Sequence, residues 1–100
     1  GISNNKRKKI SNYDVNNYIN SLYLRFEVKD KPGVLSEITK QLAKNKISIQ
    51  RLIQIPDHKK KSASIIIVTH KTQQRNSNKC ISSFKKNKNV LKKPILIRLF

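Results

Sequence analysis

Asp30-Lys31-Pro32-Gly33-Val34-Leu35 is the stretch of this 100-residue chain whose residue types and spacing set up a recognisable binding chemistry. Gly33 is the only glycine besides Gly1. An alternating apolar pattern precedes the stretch and a helical one follows it, so it turns a strand into a helix. A helix N-terminus offers N–H groups without intrahelical partners and a partial positive charge, and it holds a carboxylate or phosphate if the backbone can come close. Gly33 leaves that approach open, and Pro32 presets φ while giving up an N–H that a first turn does not need. Asp30 is placed to accept from a turn N–H or to meet an ammonium group. Donors plus one carboxylate suit a zwitterion, a free amino acid. The same residues also make a plain tight turn with Asp30 as its cap. Residue types alone leave both readings open.

The other reactive side chains form no comparable pattern. His58 and His70 lack any H-x-x-x-H or C-x-x-C companion, so no metal is expected. Cys80 sits on a helical stripe, where a buried apolar role is expected of it. No serine lies in a nucleophile elbow, and no G-x-G-x-x-G fingerprint is present, so neither a cofactor nor catalysis by this chain is expected.

The formal charge of +18 asks for a nucleic-acid reading. Against it, the lysines are spread along the whole chain, and asparagine and isoleucine are inflated with them. All three have AT-rich codons, which points to a compositional origin. Anionic partners are still favoured at low salt. One cysteine cannot form an internal disulfide, and a reducing cytoplasm is the expected location. No apolar run approaches the ~20 residues that span a membrane, and the polar N-terminal residues do not form a secretion signal.

These residues need elements to position them. Residues 1–20 are polar, with a basic cluster at Lys6-Arg7-Lys8-Lys9, and are read as a linker with a short helical turn near Tyr13 to Ile19. From Leu22, the residues Leu22, Leu24, Phe26 and Val28 alternate with polar ones, a strand with one buried face. After the turn, Leu35, Ile38, Leu42 and Ala43 fall at helical spacing. Ile47, Ile49, Ile53 and Ile55 make a second strand, with Arg51 interrupting its apolar face at a bulge. Residues 63–70 make a third strand whose run Ile65-Ile66-Ile67-Val68 predicts core on one side and a partner on the other. A helix over 72–87 has Cys80, Ile81 and Phe84 as its inner stripe. Ile95, Ile97 and Leu99 form a last strand, opened by Pro94. The order β-α-β-β-α-β predicts an α+β, ferredoxin-like sandwich over 21–100: a four-stranded antiparallel sheet with two helices on one face.

Asp30-Lys31-Pro32-Gly33-Val34-Leu35, the amphipathic helix after it and Asn45-Lys46-Ile47-Ser48-Ile49 resemble an ACT domain, the amino-acid-sensing regulatory module. The resemblance implies an effector site made of Asp30, Gly33, Val34 and Leu35 from one subunit and Ser48 with Ile49 from a neighbour. Many ACT domains carry Asn where this chain has Ser48. Tyr23-Leu24-Arg25-Phe26, Ser48 to Gln54, Ile66-Ile67-Val68-Thr69-His70-Lys71 and Pro94 to Arg98 are similar to the C-terminal regulatory region of bacterial homoserine dehydrogenases. That similarity implies threonine as effector, a homodimer or larger assembly through the ACT sheet, and a separate NAD(P)-dependent catalytic domain tethered through residues 1–20. Two alternatives are a dimerisation module without an effector site and an RNA-binding module of RRM topology. An RRM stacks bases on aromatics of its first and third strands. Residues 63–70 hold no aromatic, so no nucleic acid is expected as partner.

Overall fold

The computed structural model describes residues 18–100. The basic cluster Lys6 to Lys9 and nearly all of the expected tether lie outside the described residues. The elements run β1 (Ile19–Lys29), α1 (Val34–Lys44), β2 (Ile49–Asp57), β3 (Ser62–Thr69), β4 (Thr72–Gln73), α2 (Gln74–Ser83) and β5 (Ile95–Leu99). β1 therefore starts at Ile19, and Ile19 and Asn20 belong to the sheet rather than to a linker.

β1 is the central strand. On one side it pairs antiparallel with β3, from Tyr23 opposite Val68 to Lys29 opposite Ser62. On the other side it pairs with β5, from Ser21 opposite Leu99 to Arg25 opposite Ile95, while the two residues of β4 pair with Asn20 and Ile19 at its start. β2 lies outside β3, with a register shift between Ile49 and Arg51, so the bulge falls where Arg51 breaks the apolar alternation. At one end of the β1–β3 ladder a side chain takes over: Leu22 N–H donates to Thr69 Oγ1 at 3.0 Å, and that hydroxyl donates to the His70 carbonyl at 2.8 Å.

The period of two in β1 buries Leu22, Leu24, Phe26 and Val28 under the helices, together with Ala63, Ile65 and Ile67 of β3. α1 adds Val34, Ile38 and Leu42, one residue per turn on a single face. α2 adds Cys80, and Phe84 just beyond it meets Phe26 edge-to-face, with ring centroids 5.0 Å apart and planes at 70°. The architecture is the expected α+β sandwich with both helices on one face, enlarged by β4.

Three expectations need correction. The α1 stripe begins at Val34 rather than Leu35, which is half-buried, and Ala43 is exposed. The helix phase is set by where the chain leaves the turn, and that puts Val34 inward. The second helix begins at Gln74, because Thr72 and Gln73 are drawn into pairing with Asn20 and Ile19. β2 does not bury an apolar face: Ile53 is 52% and Ile55 51% exposed, while Ile47, ahead of the strand, is in the core. β2 is an edge strand whose Ile53 lies opposite Ile66 on the side away from the helices.

Candidate functional site

The turn before α1 is a type II β-turn. Val34 N–H reaches back to the Lys31 carbonyl at 3.4 Å, with Pro32 at the second position and Gly33 at the third. Gly33 has φ of +87° and ψ of −14°, values that third position demands and that L side chains rarely adopt. A Cβ built on Gly33 would meet nothing within 4 Å. The glycine is thus required by backbone conformation rather than by crowding, and the space above it is open to a ligand.

No side chain caps α1, so the plain-turn reading with Asp30 as cap does not hold in that detail. Asp30 instead anchors by its backbone, its N–H donating to the Lys61 carbonyl at 3.0 Å, and its side chain is exposed. The first-turn donors beyond Val34 face outward without a capping oxygen. Glu37, also in the first turn, is engaged elsewhere: it accepts from Asn87 Nδ2 at 2.8 Å and from Asn89 Nδ2 at 3.2 Å.

An open cleft of about 390 Å³ lies against this turn. It brings together Asp30, Gly33, Val34 and Leu35 with Lys29, Lys31, Gln54 and Ile65. The volume suits a small metabolite. Its chemistry is two ammonium groups, one carboxylate, turn N–H groups and one amide. Val34 contributes backbone only, since its side chain is 3% exposed in the core. Gln54 was not among the expected site residues; it lies between Ile53 and Ile55 in β2, opposite Ile65 of β3. Other clefts match this one in size, among them one of about 400 Å³ beside Phe84 and Pro94. Volume does not single out a site here, but the convergence of donors and a carboxylate does.

Ser48 and Ile49 are not part of this cleft. They line another, with Thr39, Ala43 and Lys46, at the C-terminal end of α1. β2 runs back along α1, so its first residues lie near the helix end and Gln54 near the helix start. Within one chain the six expected site residues therefore form two groups, at opposite ends of α1.

His58 lies in the β2–β3 turn and His70 just past the other end of β3. Cys80 is buried, and burial pushes its thiol up to about 11, far from a nucleophile's range. On the helix-free face of the sheet, Arg25 Nε donates to Glu27 Oε2 at 2.8 Å and Ser64 Oγ donates to Glu27 Oε1 at 2.6 Å. Partial burial pushes Glu27 up, but the Ser64 hydroxyl and the Arg25 guanidinium outweigh it and hold the carboxyl below its ordinary value.

The model of the ACT domain family matches residues 22–86. Homoserine dehydrogenase from Methylobacillus glycogenes is 42% identical over 62 residues, 61% of this chain and 15% of that protein. Homoserine dehydrogenase from Neisseria gonorrhoeae is 35% identical over 79 residues, 79% of this chain and 18% of that protein. The crystal structure of a homoserine dehydrogenase from Thiobacillus denitrificans superposes with a TM-score of 0.77 at 33% identity, covering 88% of this chain and 19% of that one. The chain thus spans less than a fifth of the length of each of these relatives.

Proposed function

The chain belongs to the ACT domain family, as a regulatory domain related to homoserine dehydrogenases, and on that premise we propose that it is the effector-sensing part of such an enzyme, with threonine as the effector. The observation that carries this reading is the type II turn at Lys31 to Val34, which opens α1 onto a cleft with Asp30 at its rim. The effector carboxylate binds the first-turn N–H groups around Gly33 and Leu35, helped by Lys29 and Lys31. Asp30 meets the ammonium group, and Gln54 is in reach of a side-chain hydroxyl. Ser48 and Ile49, remote in one chain, close the site from a neighbouring copy in a homodimer or larger assembly. Ligand held across two copies stabilises one arrangement of the pair, and the residues ahead of β1 pass that bias to a cytoplasmic catalytic partner. The chain itself transfers no hydride and needs no cofactor.

The RNA alternative is weakened by the fold. Phe26 lies in the core, which leaves Tyr23 as the aromatic of β1 on the helix-free face, opposite Val68 of β3. A stacking platform needs more than that.

Calorimetric titration with threonine, then with the other amino acids, tests the reading. Threonine is expected to give a saturable signal that Asp30→Ala weakens at least tenfold while the circular dichroism spectrum is unchanged. No heat with any amino acid from a folded wild-type chain would leave the dimerisation module as the better reading.

A further inference from the structure

The connection from α2 to β5, residues 84–94, is about twice the usual length of such a link, and it is held at several points. Phe84 anchors it in the core. Leu91 N–H donates to the Glu27 carbonyl at 2.8 Å, Val90 bridges to Val28, and Lys29 N–H donates to the Asn89 carbonyl at 2.8 Å. The side-chain amides of Asn87 and Asn89 share the Glu37 carboxylate, and Asn89 N–H donates to Asn87 Oδ1 at 2.9 Å. A long connection fixed in this way offers a preformed surface, and ligand sites are concentrated on such connections when a rigid scaffold positions them.

Between this connection and α2 lies the cleft of about 400 Å³, at the small end of the ~300–1,000 Å³ range of ligand sites. Part of its wall is apolar: Ile81, Phe84, Leu91 and Pro94, with Leu91 48% exposed. Lys85, Lys92 and Lys93 also line it, and no carboxylate of the described residues does. Lys92 is within Coulombic reach of Glu27 and helps to lower its carboxyl, which leaves Lys85 and Lys93 for a ligand. The chain's lysine excess explains charge anywhere on the surface. It does not supply a concave apolar wall beside that charge. The stems of Lys85 and Lys93 extend the wall while their ammonium groups stay at the rim. A neutral apolar ligand would leave those ammonium groups unmatched, and a small polyanion would leave the wall uncovered. An apolar body with one anionic end matches both.

We propose that the cleft between the end of α2 and the connection to β5 is a second ligand site, which takes a small carboxylate with an aliphatic or aromatic body. The body lies on Phe84, Leu91 and Pro94, and the carboxylate meets Lys85 and Lys93. No residue lines both this cleft and the one at the Pro32-Gly33 turn. The two are joined through the backbone. Val90 and Leu91 line the second cleft and are bonded to Val28 and Glu27, which lead into Asp30. Asn87 and Asn89 hold Glu37 in the first turn of α1. A ligand that shifts the connection therefore shifts both flanks of the turn, and the effect on affinity is reciprocal. That coupling rests on the turn being the effector site; the second site itself does not.

Octanoate added to the full chain, followed by backbone amide shifts in two-dimensional nitrogen-15 NMR, tests the site. It is expected to shift Ile81, Lys85, Leu91 and Lys93 saturably, and octylamine, of the same chain length, is expected not to. Lys85→Gln with Lys93→Gln should weaken octanoate roughly tenfold, because two exposed charge contacts are lost. Leu91→Asn should weaken it as well. All three positions are exposed, so the circular dichroism spectrum should not change. If Leu91→Asn fails to fold, the lysine pair decides. Removing equal charge from the β2–β3 turn, by Lys59→Gln with Lys60→Gln, should leave octanoate binding as it is. Equal weakening by that control, shifts spread over the whole lysine-rich surface, or binding of hexaglutamate but not of octanoate would overturn the proposal. Saturating octanoate is expected to change the affinity for threonine about fivefold or more. An unchanged affinity sinks the coupling, whereas no threonine heat at all sinks the effector reading and leaves the octanoate shifts standing.

Discussion

Ile47 N–H donates to the Leu42 carbonyl at 2.9 Å, and Lys46 N–H donates to the Ala43 carbonyl at 3.0 Å, closing α1 in a Schellman motif. Ile47 and Leu42 are both buried, the hydrophobic contact that accompanies such an ending. The motif drops Ile47 into the core and so decides where Ser48 and the start of β2 emerge. Its left-handed position is occupied by Lys46, with φ of +62°. Glycine suits that position because an L side chain there costs about 1–2 kcal/mol, part of which glycine's greater backbone entropy returns. Lys46→Gly is therefore expected to stabilise the chain by about 0.5–1 kcal/mol, a rise in Tm of a few degrees for a domain of this size. Thermal unfolding followed by circular dichroism checks it; a fall in Tm would mean that the Lys46 side chain contributes more than its backbone strain costs.

At Gly33 the same physics runs the other way. With φ at +87° and open space where a Cβ would go, the penalty is conformational rather than steric. Denaturant unfolding is expected to rank stability Gly33 above Gly33→Asn, then Gly33→Ala, then Gly33→Val, with Gly33→Ala losing about 1–2 kcal/mol. Asparagine tolerates the left-handed region, and a β-branched residue tolerates it least. An equal loss for Asn and Val would show that the turn relaxes to another conformation.

The edge-to-face pair of Phe26 and Phe84 joins the central strand to the end of α2. Both rings are buried, so Phe84→Ala is expected to cost about 3–5 kcal/mol. That approaches the whole stability of a small domain, at about 5 kcal/mol or a little more. The variant should be largely unfolded at 37 °C by near-ultraviolet circular dichroism, whereas Phe84→Leu should remain folded. A cooperative, near-wild-type melt for Phe84→Ala would show that α2 is dispensable to the core.

Glu27 is held below its ordinary value in the folded chain, so its contribution to stability is present above the unfolded-state value near 4.3 and is lost as pH falls through the lower folded value. The sign follows from proton binding: below pH ~4 the unfolded state takes up the proton more readily, and acid favours unfolding. Unfolding midpoints measured from pH 6 to pH 2 should fall more steeply for wild type than for Glu27→Gln. Parallel curves would mean that Ser64 and Arg25 do not hold the carboxylate as the geometry indicates.

The local rules carried a large part of this fold. The alternation Leu22, Leu24, Phe26, Val28 could satisfy one buried face only as a strand, and Pro32-Gly33 could only interrupt it. The bulge was readable because Arg51 falls out of an apolar period of two. The bounds that slipped are those set by partners distant in sequence. Thr72 and Gln73 read as helix until Ile19 and Asn20 pair with them, and Val34 rather than Leu35 faces inward because the turn geometry fixes the phase of α1.

The candidate site divides in the same way. By itself the sequence determined the strand-to-helix turn, since Pro32 and Gly33 act through their own backbone conformation, which needs no distant neighbour. Only the tertiary structure decided what shares the cleft with that turn. β2 folds back along α1 and carries Gln54 to the helix start while leaving Ser48 at the helix end, a consequence of antiparallel packing that no local pattern encodes. The exposure of Ile53, Ile55 and Ile97 is likewise tertiary: an apolar period of two says that a strand has a greasy face, but which face the helices cover depends on the crossovers that place both of them on the same side.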